Sequence, residues 1–327
     1  MKALVCSAFG PIDDLSVQTV EPPVIRPDQV LVHVAAASVN FPDALMVQGL
    51  YQHKPPLPFS PGVELSGVVA EVGAEVEGWK VGDRVMASVD HGGFAEQCAA
   101  APHRLIPLPD GISFAQGAGF VLTFGTALHA LQDRARVTSA DTVLILGAAG
   151  GVGVAAIQVA KQLGARVIAA ASTQEKISLC KELGADETIN YSVQNLREEI
   201  KALTNNKGVT VVLDSIGGDL SEAALRSLDW RGRYLVVGFA AGTIPRLPLN
   251  HVLLKERDIM GVFWGDAVRR DKARHLENMQ TLRRWLQEKR IAPFIDEEVG
   301  LDDAAAAIGR VANRQVKGKV VIRVDRG

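Results

Sequence analysis

The sequence predicts an α/β protein: a β-rich first region followed by a six-stranded, doubly wound parallel sheet. Three observations carry this. Up to Pro109 the chain is made of short alternating apolar runs punctuated by prolines, the pattern of loop-rich β structure. Beyond it, apolar strand-like runs alternate with helical segments of roughly 8–15 residues, as expected of parallel strands joined by crossover helices. A glycine-rich run, Gly147-Ala148-Ala149-Gly150-Gly151-Val152-Gly153, joins the first of those strands to the first of those helices.

In the first region, residues 30–34, 67–72 and 84–87 read as strands, with a short helix between residues 42 and 48. Residues 113–134 read as two helical pieces. The parallel sheet is then expected from residues 142–146, 166–171, 187–189, 209–213, 233–237 and 258–262. Helices at 152–163, 174–183, 196–203 and 220–228 lie between them. Residues 271–289 form a long charged amphipathic helix. The chain closes with Val299, a helix at 302–312 and a strand at 320–324 that is expected to rejoin the first region.

A length of 327 residues suggests two domains at about 150 residues each. Apolar residues make up 47% and charged residues 22%, the balance of a globular protein with a large core. Lysine and arginine number 35 against 37 acids, a net charge of −2 spread along the chain. With no basic block, the electrostatic footprint of a nucleic-acid binder is missing. Cys6, Cys98 and Cys180 are odd in number and far apart, which argues against a disulfide framework. The first residues run into a strand pattern rather than a secretory leader, and no stretch reaches the ~20 apolar residues of a membrane helix. A soluble, cytoplasmic chain with no membrane or nucleic-acid partner is expected.

Glycines between a strand and a helix let the backbone approach a pyrophosphate closely while helix amides point at it. Ala149, Gly150, Gly151 and Val152 are therefore candidate contacts of a dinucleotide. A glycine turn that merely packs strand on helix is the plainer alternative, and the flanking strand, helix and second strand weigh against it. An NAD-preferring site places an acid at the end of the second strand, on the ribose diol. Here that position is Ala171. Without the carboxylate a 2′-phosphate meets no repulsion, and Ser172, Thr173 and Lys176 offer hydroxyls and a cation, so NADPH is the expected cofactor. Lys176 could otherwise be an ordinary lysine of a helix's first turn. Open α/β sheets bind ligands at the carboxyl ends of their strands, which adds Ser215, Gly238 and Phe239 after the fourth and fifth strands. Phe263 and Trp264, after the sixth, could line a substrate entrance or serve packing or dimerisation.

The run Pro61-Gly62-Val63-Glu64-Leu65-Ser66-Gly67 resembles the Gly-His-Glu motif of medium-chain alcohol dehydrogenases, and the order of regions is similar along the whole chain. In zinc members the histidine of that motif binds the catalytic metal; here the position is Val63. Three scattered cysteines supply neither a four-cysteine site nor the usual set of two cysteines and a histidine. His91 and His103 remain conceivable ligands and read better as loop histidines, so no metal is expected.

Within that superfamily the chain resembles the zinc-free quinone oxidoreductases of the zeta-crystallin type. The glycine turn and the helix up to Lys161 follow that family's Ala-Ala-Gly-Gly-Val-Gly segment. Val39-Asn40-Phe41-Pro42-Asp43 is similar to its Val-Asn-x-x-Asp, Gly49-Leu50-Tyr51 to its Gly-x-Tyr loop, and Asn190-Tyr191 to its Asn-Tyr. Gln48 departs from the family, where many relatives carry arginine. The resemblance implies a GroES-like catalytic domain over residues 1–122, a Rossmann NADP(H)-binding domain over 123–265, and a return of 266–327 to the catalytic domain. It implies Thr123 and Thr126 in the segment over the nicotinamide, Tyr191 on the 2′-phosphate and Lys317 on cofactor phosphate. It also implies a homodimer paired through the edge strand 258–264.

Asn40 is expected to steer cofactor or carbonyl, its alternative being a turn residue before Phe41-Pro42. Tyr51 is expected to donate a hydrogen bond or proton to the acceptor oxygen, or only to cover the pocket. Asp43 could orient either of them, or cap the short helix. The activity implied is NADPH-dependent reduction of quinones or other conjugated carbonyls by direct hydride transfer. The alternatives are an enoyl-thioester or enone reductase, for which Lys54 and Arg269-Arg270 would offer a basic rim, and a non-catalytic NADPH-binding protein.

Overall fold

The computed structural model describes residues 1–324. The chain divides into two compact units, Met1–Leu122 with the segment from Ala292 onward, and Thr123–Ile291.

The first unit opens with β1 (Lys2–Val5) paired antiparallel to β2 (Ser16–Thr19). Then come β3 (Val30–Ser38), α1 (Phe41–Val47), β4 (Glu64–Val72) and β5 (Arg84–Ser88). β6 (Gln97–Ala100), β7 (Leu105–Pro107) and α2 (Phe114–Ala118) complete this stretch. α2 starts where it does because the Ser113 hydroxyl accepts from the Gln116 N–H at 3.2 Å, while the Gln116 side chain accepts from Ser113 N–H at 3.1 Å.

α3 (Val121–Leu128) begins with the last two residues of the first stretch and, from Thr123, belongs to the second unit, where it continues into a π-helical turn, His129–Arg134. Strands and helices then alternate: β8 (Thr142–Leu146), α4 (Gly151–Gln162), β9 (Arg166–Ala171), α5 (Gln174–Glu182) and β10 (Glu187–Asn190). They continue as α6 (Leu196–Leu203), β11 (Val209–Asp214), α7 (Leu220–Arg226), β12 (Leu228–Val236) and α8 (Asn250–Leu253). β13 (Asp258–Gly261), α9 (Trp264–Arg270) and α10 (Lys272–Gln287) close the unit. The return consists of β14 (Ile295–Gly300), α11 (Ala304–Ala312) and β15 (Lys319–Arg323).

The second unit's sheet has the order β10-β9-β8-β11-β12-β13, with every pair parallel. Val143 to Leu146, Val167 to Ala170 and Val211 to Leu213 are wholly buried, as expected of strands covered on both faces. Each large apolar side chain so buried stabilises the fold by roughly 1.5–3 kcal/mol. The order reverses between β8 and β11, which opens a crevice at their carboxyl ends. The first unit's sheet runs β14-β15-β3-β4-β5-β7, with β6 also paired to β3. β15 lies antiparallel to β3 with Val321 opposite Ser38, and the Val39 N–H donates to the Val320 carbonyl at 2.9 Å, so β15 meets the residues that lead into α1.

The expected α/β architecture is present, with differences at the joints. α7 ends at Arg226, and Leu228 already pairs with Val209 on the neighbouring strand. α9 was not foreseen. The segment 266–291, expected with the return, belongs to the second unit instead. The apolar face of its long amphipathic helix packs within that unit: Met279, Leu282 and Leu286 are buried, and Asn278 donates to Asp133 of the π-helical turn at 2.8 Å. No helix among the described residues is long and apolar enough to cross a membrane.

Candidate functional site

Gly147, at the end of β8, has φ +69, a left-handed conformation that favours glycine. A Cβ on Gly153 would lie 2.3 Å from the Gly147 carbonyl, so only glycine lets the first turn of α4 close onto the strand. Gly150 is the N-cap of α4 and brings no side chain to the free amides of Gly151 and Val152. Those amides, at the positive end of the helix dipole, form a cradle suited to an anion. Ser215 joins this turn: its hydroxyl donates to the Leu146 carbonyl at 3.1 Å. Gly238 and Phe239 are brought alongside by Gly238 N–H to Asp214 O at 3.3 Å and Ala240 N–H to Ser215 O at 3.2 Å.

Sequence reasoning missed what holds that corner. The buried Asp214 carboxylate accepts from Ile216 and Gly217 N–H, both at 2.8 Å, from the Ser221 hydroxyl at 2.7 Å and from the Tyr234 hydroxyl. Burial, and the carboxylate beside it, push the Tyr234 phenol well above its ordinary range, so it stays a hydrogen-bond donor. An acid ending an otherwise apolar strand was the available signal.

At the next strand end, Asn190 is in register with Ala171, and the Tyr191 N–H donates to the Ala171 carbonyl at 3.1 Å. Thr173 caps α5 by accepting from the Lys176 N–H at 3.2 Å. Ser172, Thr173, Lys176 and Tyr191 thus belong to one corner of the sheet, with no acid at position 171. Thr123 and Thr126 are buried on α3. Trp264 packs on the same helix: a Cβ at Gly125 would be 2.6 Å from its ring. Phe263, by contrast, is half exposed.

The first unit holds a buried polar cluster. Asn40 precedes α1, and its backbone N–H donates to Asp43 Oδ2 at 2.8 Å. Asp43 Oδ1 accepts from Gly62 and Val63 N–H at 3.0 and 3.1 Å, so this carboxylate staples the start of α1 to the segment before β4. Burial pushes the Asp43 carboxyl up to about 7, against the pull of those N–H groups and Lys319. The Asn40 carboxamide is engaged on both sides. Its Oδ1 accepts from Lys319 Nζ at 2.6 Å, and its Nδ2 donates to Ser38 O at 3.1 Å and Glu64 Oε2 at 3.3 Å. Glu64 Oε2 also accepts from Ser38 Oγ at 2.7 Å and Lys319 Nζ at 3.3 Å, while Oε1 accepts from Leu122 N–H at 2.8 Å. Glu64 is 0% and Lys319 3% exposed; removing either alone would strand a buried charge at a cost of roughly 3–5 kcal/mol.

Tyr51 follows α1 and packs, half buried, against the first unit's core. Lys317, the expected phosphate contact, is 3.6 Å from Asp296 Oδ1. The lysine buried beside Asn40 is Lys319, two residues on.

The donor set does not fit zinc. Val63 fills the motif's histidine position with a buried aliphatic side chain, and Cys6, Cys98 and Cys180 are all buried and free. Burial raises the Cys98 thiol to about 12, far from the thiolate a metal requires. Among the described residues no group of three or more His, Cys, Asp or Glu could hold a metal ion.

Two family models match the chain: an alcohol dehydrogenase GroES-like domain over residues 26–110 and a zinc-binding dehydrogenase domain over residues 151–281. Quinone oxidoreductase-like protein 2 of Rattus norvegicus is 39% identical over 322 residues, which is 98% of this chain and 91% of that protein. The quinone oxidoreductase of the same organism is 32% identical over 325 residues, covering 98% and 97%. The Escherichia coli quinone oxidoreductase, solved in complex with NADPH, has a TM-score of 0.92 at 27% identity, covering 99% of this chain and 100% of that one. The Pseudomonas syringae quinone oxidoreductase has a TM-score of 0.92 at 31% identity, covering 99% of each chain. With a GroES-like unit, a Rossmann unit and these relatives along its whole length, the chain belongs to the quinone oxidoreductase-like family of the medium-chain dehydrogenase/reductase superfamily.

Proposed function

We propose that this protein reduces quinones or other conjugated carbonyl acceptors with NADPH by direct hydride transfer and without a metal. The observation that carries the reading is the glycine turn at the strand-order reversal, with Ala171 rather than an acid ending the neighbouring strand. When bound, the reduced nicotinamide supplies the hydride. Ala149, Gly150, Gly151 and Val152 hold the pyrophosphate at the start of α4, and Ser172, Thr173, Lys176 and Tyr191 hold the 2′-phosphate. Ser215, Gly238, Phe239, Phe263, Thr123 and Thr126 bound the rest of the cofactor, and Lys317 its phosphate. Asn40 and Asp43 position the acceptor side, and Tyr51 offers a proton or hydrogen bond to the acceptor oxygen.

Of the basic rim an acyl-CoA would use, Arg269 and Arg270 share one acid, Asp266, at 2.9 and 2.6 Å, which offsets part of their charge. The protein is proposed to act as a homodimer, since β13 is an edge strand with Ile259 exposed on it and Phe263 exposed just after it, and Leu253 and Leu254 at the end of α8 are exposed as well. NADPH oxidation by the purified protein with 1,4-benzoquinone, an enone and crotonyl-CoA tests the reading. Turnover fastest with the quinone supports it. Turnover fastest with crotonyl-CoA would assign an enoyl-thioester reductase, and NADPH binding without turnover on any acceptor a cofactor-binding protein.

A further inference from the structure

Glu64 and Lys319 are 255 residues apart in sequence and meet in the interior of the first unit. A buried ion pair is often no more stabilising than apolar side chains of the same volume, so stability alone gives no reason to keep one here. Its neighbours supply a reason. An ammonium has only hydrogens to offer, so Lys319 Nζ must meet Asn40 through Oδ1, leaving Nδ2 toward the acceptors Ser38 O and Glu64 Oε2. The opposite orientation would set an NH2 against the ammonium. Glu64 meanwhile spends its other oxygen on the N–H of Leu122, in the first turn of α3. Thr123 and Thr126 follow on that helix.

We propose that Lys319 and Glu64 are a positioning pair for the reduction, locking the Asn40 carboxamide in one orientation and fixing the start of α3. The proposal rests on the functional reading above. It makes Asn40 a positioning residue too, because its carboxamide is consumed inside the unit. It also gives the C-terminal return a purpose: β15, registered on β3 with Val321 opposite Ser38, delivers the ammonium that completes the cluster.

The test is the double variant Lys319→Met/Glu64→Gln, which removes both charges and strands neither. The expected result is a folded protein by circular dichroism that binds NADPH within about twofold of the wild type. Its kcat with quinone should fall by about 10- to 100-fold, the scale of a small misplacement of reacting groups. If the pair served only to balance charge, the folded double variant would keep wild-type kcat, and that result overturns the proposal. Ser38→Ala, which removes one donor to Glu64 and no charge, covers the case in which the double variant does not fold. It should lower kcat several-fold and leave NADPH affinity alone, whereas unchanged kcat speaks against the pair. A readout independent of activity is hydrogen exchange of the Asn40 side-chain amide by NMR. It should be slow in the wild type and fast in Lys319→Met/Glu64→Gln. Equal exchange overturns the lock even if no acceptor is found, while lost protection in a protein without reductase activity would retain the lock and reject the functional reading.

Discussion

The Tyr191 N–H donates to the Ala171 carbonyl at 3.1 Å, so the residue after β10 is tied to the residue that ends β9. This bond puts an aromatic hydroxyl-bearing residue beside the position where an acid would select NADH. NADPH is therefore expected to bind more tightly than NADH. Ala171→Asp should weaken NADPH by about tenfold or more through like-charge repulsion and invert the order. Calorimetry on both proteins checks this, and equal dissociation constants in the unaltered protein would contradict it.

Tyr51→Phe separates proton donation from pocket shape. As general acid for an enolate, its loss should lower enone turnover by roughly 10²–10⁴. Quinone reduction should suffer far less, because a hydroquinone anion is a weak base that water can protonate. Equal losses on both acceptors would make Tyr51 a wall of the pocket.

Prolonged chelation should leave turnover unchanged, since Val63 and three buried free cysteines provide no ligand set. Elemental analysis should find well under one zinc per chain. Stoichiometric zinc whose removal abolishes activity would refute metal independence.

The exposed apolar residues about β13, with Leu253 78% and Leu254 68% exposed, predict a two-fold pairing of that edge. Light scattering at micromolar concentration should give about twice the 34.9 kDa chain mass. Leu253→Asp/Leu254→Asp should shift it toward the monomer. A wild-type monomer rules the dimer out.

Two carboxylates give stability opposite pH dependences. Burial holds Asp43 at about 7, above its ordinary 3.8, so its contribution is full below about pH 4 and is lost as pH rises through about 7. Burial would also raise Asp133, but hydrogen bonds from His129, Arg274 and Asn278 outweigh it and hold it at about 2. Its contribution is full above 3.8 and is lost as pH falls through about 2. Denaturant midpoints across pH 4–8 should therefore fall with a slope that Asp43→Asn flattens. A slope unchanged in that variant would show that Asp43 does not titrate there.

What the sequence by itself determined is what local pattern encodes. The Gly147–Gly153 turn, each strand with its following helix, and Ala171 in place of an acid are each read from a local stretch of sequence. Backbone sterics and the requirement to bury both faces of a parallel strand leave little choice there. The helix at 272–287 was legible as an amphipathic helix, but not as part of the second unit, because an apolar face does not specify which surface will cover it. Lys317 and Lys319 are indistinguishable in sequence, and the left-handed turn at Gly318 (φ +51), just before β15, separates them, one meeting Asp296 and the other entering the core. Charged residues at the start of the apolar runs Glu64-Leu65 and Lys319-Val320 were the one hint that both would be buried. Tertiary structure alone decided that they meet, because a buried charge is tolerable only with a partner, and that partner can come from anywhere in the chain.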